Sequence, residues 1–253
     1  MLLPAVLLLL LLGSAPVRAQ DTYEIQVYGA ATVDPRTTMV EFHTNYTFDG
    51  IGQPRDGTLS SEHAFHETIE LTHGFTPWFE VGVYGFGSSQ AGRGFELVGS
   101  HLRPRVRVPD AWHWPLGVSL STEVGYLGSP YAADEWTWEI RPIVDQKVGR
   151  FYWAVNPTLE LALSGPDRGH APDFGASVKL AFDLSHLVTA GVEYYGSPGS
   201  LAGFSPGPEQ SHAIFPTLDL DLGRDWECNA GVGFGLTPAT DGLIGKLIIG
   251  RRF

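Results

Sequence analysis

The C-terminal stretch of the chain places the strongest constraint on its fold. In Asp241–Phe253, DGLIGKLIIGRRF, one set of alternate residues is mostly apolar and the other set carries Lys246 and Arg252. This period of two is typical of a β-strand and not of a helix. An apolar strand at the end of a chain would leave an unpaired edge in water, whereas a strand that closes a barrel in a membrane has no free edge. The terminus therefore predicts a closed barrel.

The other end of the chain reads as a secretory signal. The chain starts MLLPAVLLLLLLGSAPVRAQ, in which a leucine run is followed by small residues before Ala19. We expect residues 1–19 to be a signal peptide, because the run is shorter than the roughly 20 residues that span a bilayer. No Lys or Arg precedes the leucines, which departs from the usual pattern. Residues 20–36 alternate imperfectly and are predicted to be a periplasmic or lumenal N-terminal segment, followed by the barrel in residues 37–253.

Charge and cysteine content exclude several classes of protein. Removal of the signal peptide takes away Arg18 and leaves 15 Lys and Arg against 28 Asp and Glu, a formal charge of −13. This acidity argues against nucleic acid as a partner, since nucleic acid binding needs a basic patch. Cys228 is the sole cysteine, so no disulfide forms within the chain. No stretch after the signal is long and apolar enough for a transmembrane helix.

Regular alternation begins at Thr37 and indicates twelve strands. The clearest is Leu116–Leu127, in which apolar residues alternate with Gly, Ser and Glu. In the fourth strand, Gly94–Val108, we expect Val98 to share the outward face, opposite the face that carries three arginines. The fold class predicted is all-β, a single antiparallel transmembrane β-barrel of about 12 strands. A soluble sandwich with one wet face is the alternative that alternation alone leaves open.

The connections between the strands favour the membrane barrel. The odd-numbered connections are longer and rich in Gly, Pro, Ser and Asp, whereas most even-numbered ones are short. Long loops at one end and tight turns at the other are typical of outer-membrane barrels. Tryptophans also fall near both ends of the predicted strands, where membrane interfaces favour them. An even strand count then predicts that both termini are periplasmic and that the protein resides in the bacterial outer membrane.

One hairpin carries a family resemblance. His66–Tyr84, HETIELTHGFTPWFEVGVY, turns tightly at Phe75-Thr76-Pro77. With the stretch YEIQVYG and the terminal strand, it resembles the outer-membrane barrels of the family named for the MetA pathway of phenol degradation. The resemblance implies uptake of hydrophobic or aromatic compounds and supplies no catalytic motif. The terminal strand that ends at Phe253 also resembles the closing strand of bacterial outer-membrane β-barrels in general, which implies that the barrel assembly machinery reads it.

The polar face of the strands is predicted to line the lumen. Its charged members alternate with the apolar residues that would face lipid. The lumen-lining residues predicted are Glu70, Glu80, Arg103, Arg105, Arg107, Glu123, Glu139, Arg141, Glu160, Lys179, Asp219 and Lys246.

Two interpretations of this charged face stay open. The charges could set the selectivity of a narrow pore, or they could neutralise one another in a filled barrel. Twelve strands enclose a lumen between the filled and the open sizes, and glycines such as Gly117, Gly125 and Gly233 favour some free volume. The ladder Arg103, Arg105 and Arg107 could bind an anion through forked hydrogen bonds, but pairing with acidic neighbours on adjacent strands is the simpler expectation.

No catalytic or metal site is predicted. The cluster Glu62, His63, His66, Glu67 and Glu70 has metal-binding residue types, but only His66 and Glu70 would share a lumenal strand face. Two ligands on one face do not make a site without partners from other strands. Ser and His residues occur without a recognisable catalytic motif. We therefore expect no enzymatic activity, no cofactor and no metal.

The function predicted is a passive channel or uptake protein for small molecules. Its expected partners are outer-membrane lipid, the barrel assembly machinery and an unidentified small solute. Two alternatives belong to other classes: a barrel enzyme that acts on lipid, and a structural or adhesive barrel whose longer loops bind partners.

Overall fold

The computed structural model describes residues 22–53 and 57–253, and the predicted signal peptide lies outside them. Twelve antiparallel strands close into one barrel. They are β1 Thr38–Asp49, β2 Phe65–Thr76, β3 Phe79–Ser89, β4 Glu96–Arg107, β5 Gly117–Leu127, β6 Trp136–Val148, β7 Phe151–Ala162, β8 Asp173–Asp183, β9 Val188–Ser200, β10 Ser211–Leu220, β11 Trp226–Gly235 and β12 Leu243–Arg252. The predicted all-β fold and strand count are confirmed.

The C-terminal strand closes the barrel. β12 pairs with β11 on one side and with β1 on the other, with Phe42 opposite Ile249. The seam continues past the strand ends, because Thr38 and Phe253 exchange backbone hydrogen bonds of 2.9 and 3.1 Å. No strand in this ring keeps a free edge, which is the condition for a sheet that crosses a bilayer.

The outward face of the barrel is apolar. Leu71, Val83, Leu102 and Val124 lie opposite one another across four successive strands, and each exposes 41–50% of its surface. Such a contiguous apolar band is not tolerated in water but matches a hydrocarbon environment. Exposed tryptophans mark both ends of the barrel, namely Trp78, Trp112, Trp114 and Trp226 at one end and Trp136 and Trp138 at the other.

The two ends of the barrel differ in their connections. One end, the loop end, carries the connections 50–64, 90–95, 128–135, 163–172, 201–210 and 236–242. The other, the turn end, carries 77–78, 108–116, 149–150, 184–187 and 221–225. In the two-residue turn 149–150, Gly149 has a φ of +61°, a conformation that glycine adopts without strain. No helix in the described part of the chain is long and apolar enough to cross a bilayer.

A bulge in β4 overturns one predicted side-chain direction. The sequence predicts Val98 on the outward face, but its side chain is buried in the interior. Against β3, the pairing steps from Gly99 opposite Phe86 to Leu97 opposite Gly87, which leaves Val98 without a partner. An extra residue of this kind reverses the alternation beyond it. Val98 therefore faces inward, although the alternation in the rest of β4 would place it outward.

The N-terminal segment lies inside the barrel. Residues 22–33, here called the inner segment, belong to no strand. Tyr23, Ile25 and Tyr28 are all at least nine-tenths buried. The chain enters the barrel from the turn end, where Pro35 forms an isolated bridge with Gly74. Tyr23 lies past mid-barrel, where it contacts Thr68 and Val98 in the loop-end parts of β2 and β4. Residues 34–36, between the inner segment and β1, are exposed at the turn end.

Candidate functional site

Lumenal side chains hydrogen-bond the backbone of the inner segment. Because buried peptide groups need partners and this segment has no strand beside it, side chains must supply the hydrogen bonds. Asn156 does so twice, accepting from Tyr28 N at 2.7 Å and donating to Tyr28 O at 3.0 Å. The other contacts are Asn45 to Thr22 O and Tyr23 O, Thr68 to Tyr23 O, Lys246 to Ile25 O, Arg105 to Gly29 O and Ala31 O, Asp145 to Ala30 N and Glu80 to Val33 N.

The apolar residues of the inner segment pack against a few apolar positions on the lumenal face. Ile25 and Val27 contact a cluster that includes Phe215 and Ile244. Similarly, Tyr23 packs with Tyr84, Phe86 and Val98, whereas Tyr28 and Ala30 pack with Ile143. Exposing apolar side chains to water in an open pore would be unfavourable. Docking of the segment explains these positions, since burial of apolar area stabilises the contact.

Arginines surround Tyr28 in the turn-end half of the lumen. The guanidinium carbons of Arg103, Arg105 and Arg141 lie 4.8, 5.8 and 5.0 Å from the centre of its ring. Cations at these distances are attracted to an aromatic face. Each arginine also has an acidic partner: Arg103 Nη2 lies 2.6 Å from Glu70 Oε1, Arg105 Nη2 lies 2.5 Å from Glu80 Oε1, and Arg141 forms a two-bond pair with Glu139 at 2.7 and 3.0 Å. The cluster is internally neutralised.

A second ion-pair cluster lies on the opposite wall. Lys246 contacts Glu193, whose other carboxylate oxygen lies 3.2 Å from Lys179. Lys179 also lies 2.7 Å from Asp219. Lys246 binds Ile25 O as well, so this cluster holds the inner segment from the side opposite the arginines.

The remaining predicted lumenal residues fall at different depths. Arg107 is not part of the buried cluster, because it is half-buried at the turn end and pairs there with the exposed Asp110. Glu123 is buried and pairs with His101. Glu160 lines an open cavity near the loop end. The structure thus brings Arg103, Arg105, Glu70 and Glu80 together and separates Arg107 from them.

Glycines on the lumenal face do not leave free volume. A Cβ added at Gly233 would lie 2.2 Å from the ring of Phe215, one at Gly117 would lie 2.0 Å from Asp145, and one at Gly125 would lie 2.2 Å from His101. Larger neighbours therefore occupy the space that these glycines make. The sequence interpretation of bare walls is wrong at these three positions.

Free volume occurs instead at the loop end. A cavity of ≈ 430 Å³ lies among the connections there, and a narrower one of ≈ 110 Å³ adjoins it and reaches Glu24 and Gln26. Both are lined by Glu160 and Asp173. The carboxylates around the two cavities are Glu24, Asp134, Glu139, Glu160, Asp167 and Asp173, and the one arginine is Arg141. This entrance, here called the acidic vestibule, favours positive charge.

Replacing Asn156 tests whether the inner segment is held as described. Asn156→Ala removes both bonds to the Tyr28 backbone and should lower the free energy of unfolding by roughly 1–3 kcal/mol, the cost of buried peptide groups without partners. Guanidinium unfolding followed by tryptophan fluorescence measures this. Thr158→Ala, on the same strand and face, is the control and should have a smaller effect. Equal losses in the two variants would contradict the docking contact.

Comparison with solved structures identifies the fold. The KdgM porin superposes with a TM-score of 0.57 at 8% identity, covering 85% of this chain and 99% of its own. The COG4313 outer membrane channel from Pseudomonas putida F1 gives 0.61 at 12% identity, covering 91% and 100%. The NanC porin gives 0.56 at 7%, covering 83% and 97%.

The sequence comparisons add no family. No family model matches the chain, and no curated protein matches it. The resemblance to the phenol-degradation family is therefore not confirmed, and the expectation that the chain is not an enzyme stays a prediction. The structure shows that the chain forms a closed ring of twelve strands with an apolar outer surface. The chain has the fold of the outer-membrane β-barrel channels.

Proposed function

We propose that the protein is a passive outer-membrane channel for small solutes and that the inner segment narrows its passage. The observation that carries this proposal is the acidic vestibule, which leads from the loop end to Glu24 and Gln26 of the segment. The lumen of a twelve-stranded barrel is wider than that of barrels of about eight strands, which side chains fill, and narrower than that of porins with about sixteen strands. Such a lumen, with one irregular segment inside it, supports passage of small molecules only.

We infer that the loop end faces the outside of the cell and the turn end faces the periplasm. Longer loops outside and short turns inside are the usual arrangement in outer-membrane barrels. The first residues of β1 pair with the last residues of β12 at the turn end. The start of the first strand and the end of the last strand would therefore both be periplasmic. Phe253 is exposed at this end, which suits recognition by the assembly machinery. The acidic vestibule would then receive solutes from outside.

The charge of the vestibule supports a preference for cations. Six carboxylates and one arginine line it, and the cavities are partly enclosed by protein, where charges act more strongly than in bulk water. The negative net charge of the whole chain also favours cations over anions. Small cations, inorganic or organic, are thus the solute class that the geometry supports best.

Small aromatic molecules are the second candidate class. The family resemblance implies them, and Tyr195 lies among the residues that line the inner cavity. A small aromatic solute that carries a positive group would suit both the carboxylates and this aromatic side chain. Comparing the liposome uptake of matched aromatic solutes with and without a positive charge separates the two classes.

Neutralising the vestibule tests the selectivity. Unit charges about 10 Å apart interact by roughly 1–2 kcal/mol at an effective dielectric of about 20, and salt screens part of this. We expect the double variant Glu160→Gln, Asp173→Asn to lower the ratio of K⁺ to Cl⁻ permeability by about threefold. Reversal potentials of the refolded protein in a planar bilayer under a salt gradient give the ratio.

The control for this experiment is Glu209→Gln. Glu209 lies on an exposed loop at the same end, outside the residues that line the vestibule. It should leave the permeability ratio unchanged. A ratio that moves equally in both variants would mean that surface charge, not the vestibule, sets selectivity. An inserted protein that never conducts, with or without the inner segment, would contradict the channel proposal itself.

A further inference from the structure

Glu41, His43 and Glu70 come together on the inner wall near the closing seam. Glu41 and His43 are neighbours on one face of β1, and Glu70 lies directly opposite Glu41 on β2. One ligand atom from each residue lies within 4.8 Å of the other two. The sequence suggested Glu70 only with His66 on its own strand, which is too few ligands; the register of β1 and β2 supplies the missing ones.

Several polar atoms of this group are buried without a hydrogen-bond partner. The exposed fractions are 7% for Glu41, 0% for His43 and 1% for Glu70. Glu41 Oε1, both ring nitrogens of His43 and Glu70 Oε2 have no hydrogen-bond partner among the described residues. His43 Nε2 does lie 3.4 Å from Glu70 Oε2, but outside hydrogen-bonding geometry. Buried polar atoms are normally satisfied, so orphans clustered at one point indicate that something binds there.

Electrostatics specify the sign of what binds. Two carboxylates directly opposite each other across a strand pair destabilise the sheet, and burial away from water increases the cost. Arg103 pairs with Glu70 through Oε1, and Thr72 donates to that same oxygen at 2.6 Å. This leaves Oε2 turned toward His43, while Glu41 has no comparable ion pair within the described ranges. A cation between the three side chains would offset both costs.

The wall of the barrel is shaped to keep Glu41 in this position. Gly250 lies opposite Glu41 on β12, and a Cβ added there would lie 2.7 Å from Glu41 Cγ. It would lie still closer to Met39 Cε, at 2.3 Å, so the absence of a side chain at Gly250 leaves room for both Met39 and Glu41. Arg103 and Thr72 meanwhile fix the orientation of the Glu70 carboxylate, as partners outside a metal site usually do for its ligands.

We propose that Glu41, His43 and Glu70 form a binding site for a divalent transition-metal ion of the zinc type. One imidazole nitrogen with carboxylate oxygens suits zinc better than calcium or magnesium, which bind through oxygen alone. Three protein ligands leave a further position for water. The ion would link β1 to β2 beside the closing seam. This site is independent of the vestibule and of the proposed transport.

A second group, Glu24, His101 and Glu123, has similar residue types but does not carry the same inference. His101 already pairs with Glu123, and Tyr28 donates to Glu24 at 2.9 Å. All three of its side chains therefore take part in interactions within the protein.

The test compares zinc content in matched variants. The protein, without a histidine tag, is refolded in detergent with Zn²⁺, passed through gel filtration, and assayed for zinc per chain by mass spectrometry. We expect His43→Gln and Glu41→Gln each to retain one zinc ion fewer per chain than the unchanged protein. His66→Gln is the control, because His66 is equally buried on the same wall but outside the group. It should retain the full amount.

A cobalt readout keeps the proposal testable if one variant misfolds. Co²⁺ bound through imidazole and carboxylates absorbs visible light, and this absorption should appear in the unchanged protein and in His66→Gln but not in His43→Gln or Glu41→Gln. Folding is checked by the heat-dependent shift in gel mobility typical of barrels. The proposal is overturned if the unchanged protein binds no zinc or cobalt, if folded His43→Gln or Glu41→Gln keeps the full amount, or if His66→Gln loses the ion as well.

Discussion

A chain that begins at Asp34 is expected to conduct several times more current per channel than the chain that begins at Gln20. The reason is that the inner segment, residues 22–33, lies inside the lumen and packs against side chains in both the turn-end and the loop-end halves of the barrel. Removing it leaves the charged wall facing water, which solvates the side chains that bind the segment in the intact chain, such as Arg105, Lys246 and Glu80. Single-channel recording of both refolded chains in a planar bilayer measures the difference.

The barrel itself should survive this deletion. The inner segment supplies no strand, and the ring of twelve strands closes without it. The deletion removes the packing of Tyr23, Ile25 and Val27 and the hydrogen bonds to the backbone of the segment. A lower unfolding midpoint is therefore expected, together with a normal mobility shift on gels.

A matched control separates loss of the segment from loss of its contacts. In this control, residues 22–33 are replaced by a Gly/Ser linker of equal length, which keeps the chain but not the docking side chains. Such linkers behave as flexible coils, so the conductance should fluctuate and have a mean above that of the unchanged chain. Equal, steady conductance in all three chains would show that the segment does not obstruct the path.

Leu102→Arg is expected to lower the free energy of unfolding by roughly 2–4 kcal/mol, the cost of a lipid-facing arginine near the bilayer midplane. Leu102 lies mid-strand on β4 between the outward-facing Val83 and Val124, and half of its surface is exposed. The loss arises because hydrocarbon offers the guanidinium no hydrogen-bond partner. Chemical unfolding in lipid vesicles, followed by tryptophan fluorescence, measures it.

Leu201→Arg is the matched control for the lipid face. Leu201 is also 50% exposed, but it lies in a loop-end connection after β9. The same change of residue should cost little there, because the arginine would be in water. If the two variants lost equal stability, the apolar band would not be the lipid-contacting surface. If neither lost any, the barrel would not require a bilayer around it.

Local pattern was sufficient to predict the walls of this protein. In a strand that separates lipid from a polar lumen, apolar and polar side chains must alternate. This alternation can be recognised from the sequence of each strand alone. Hence the closing role of β12 and the count of twelve strands could be predicted. The bulge at Val98 could not, because an extra residue is defined by the partner strand and not by its own neighbours.

The polar lumenal face was visible in sequence, but its purpose was not. Arg105 and Lys246 were predicted to line the pore, whereas in the structure they donate hydrogen bonds to the inner segment. One signal was available: Phe86, Ile143 and Phe215 are apolar residues on an otherwise polar face. In a water-filled pore such side chains are unfavourable, so their recurrence could have indicated that something packs against them.

The sequence by itself determined that the chain forms a closed, lipid-facing ring of strands, because alternation is a local property that the bilayer imposes on each strand. Tertiary structure alone decided what lies within the ring. The contacts that fix the interior join residues far apart in the chain, with Tyr28 bound to Asn156 across 128 positions and Lys246 to Ile25 across 221. The cluster of Glu41, His43 and Glu70 likewise exists only through the register of β1 and β2. A repeat within one strand cannot encode such pairings, since they depend on which strands become neighbours and at what offset.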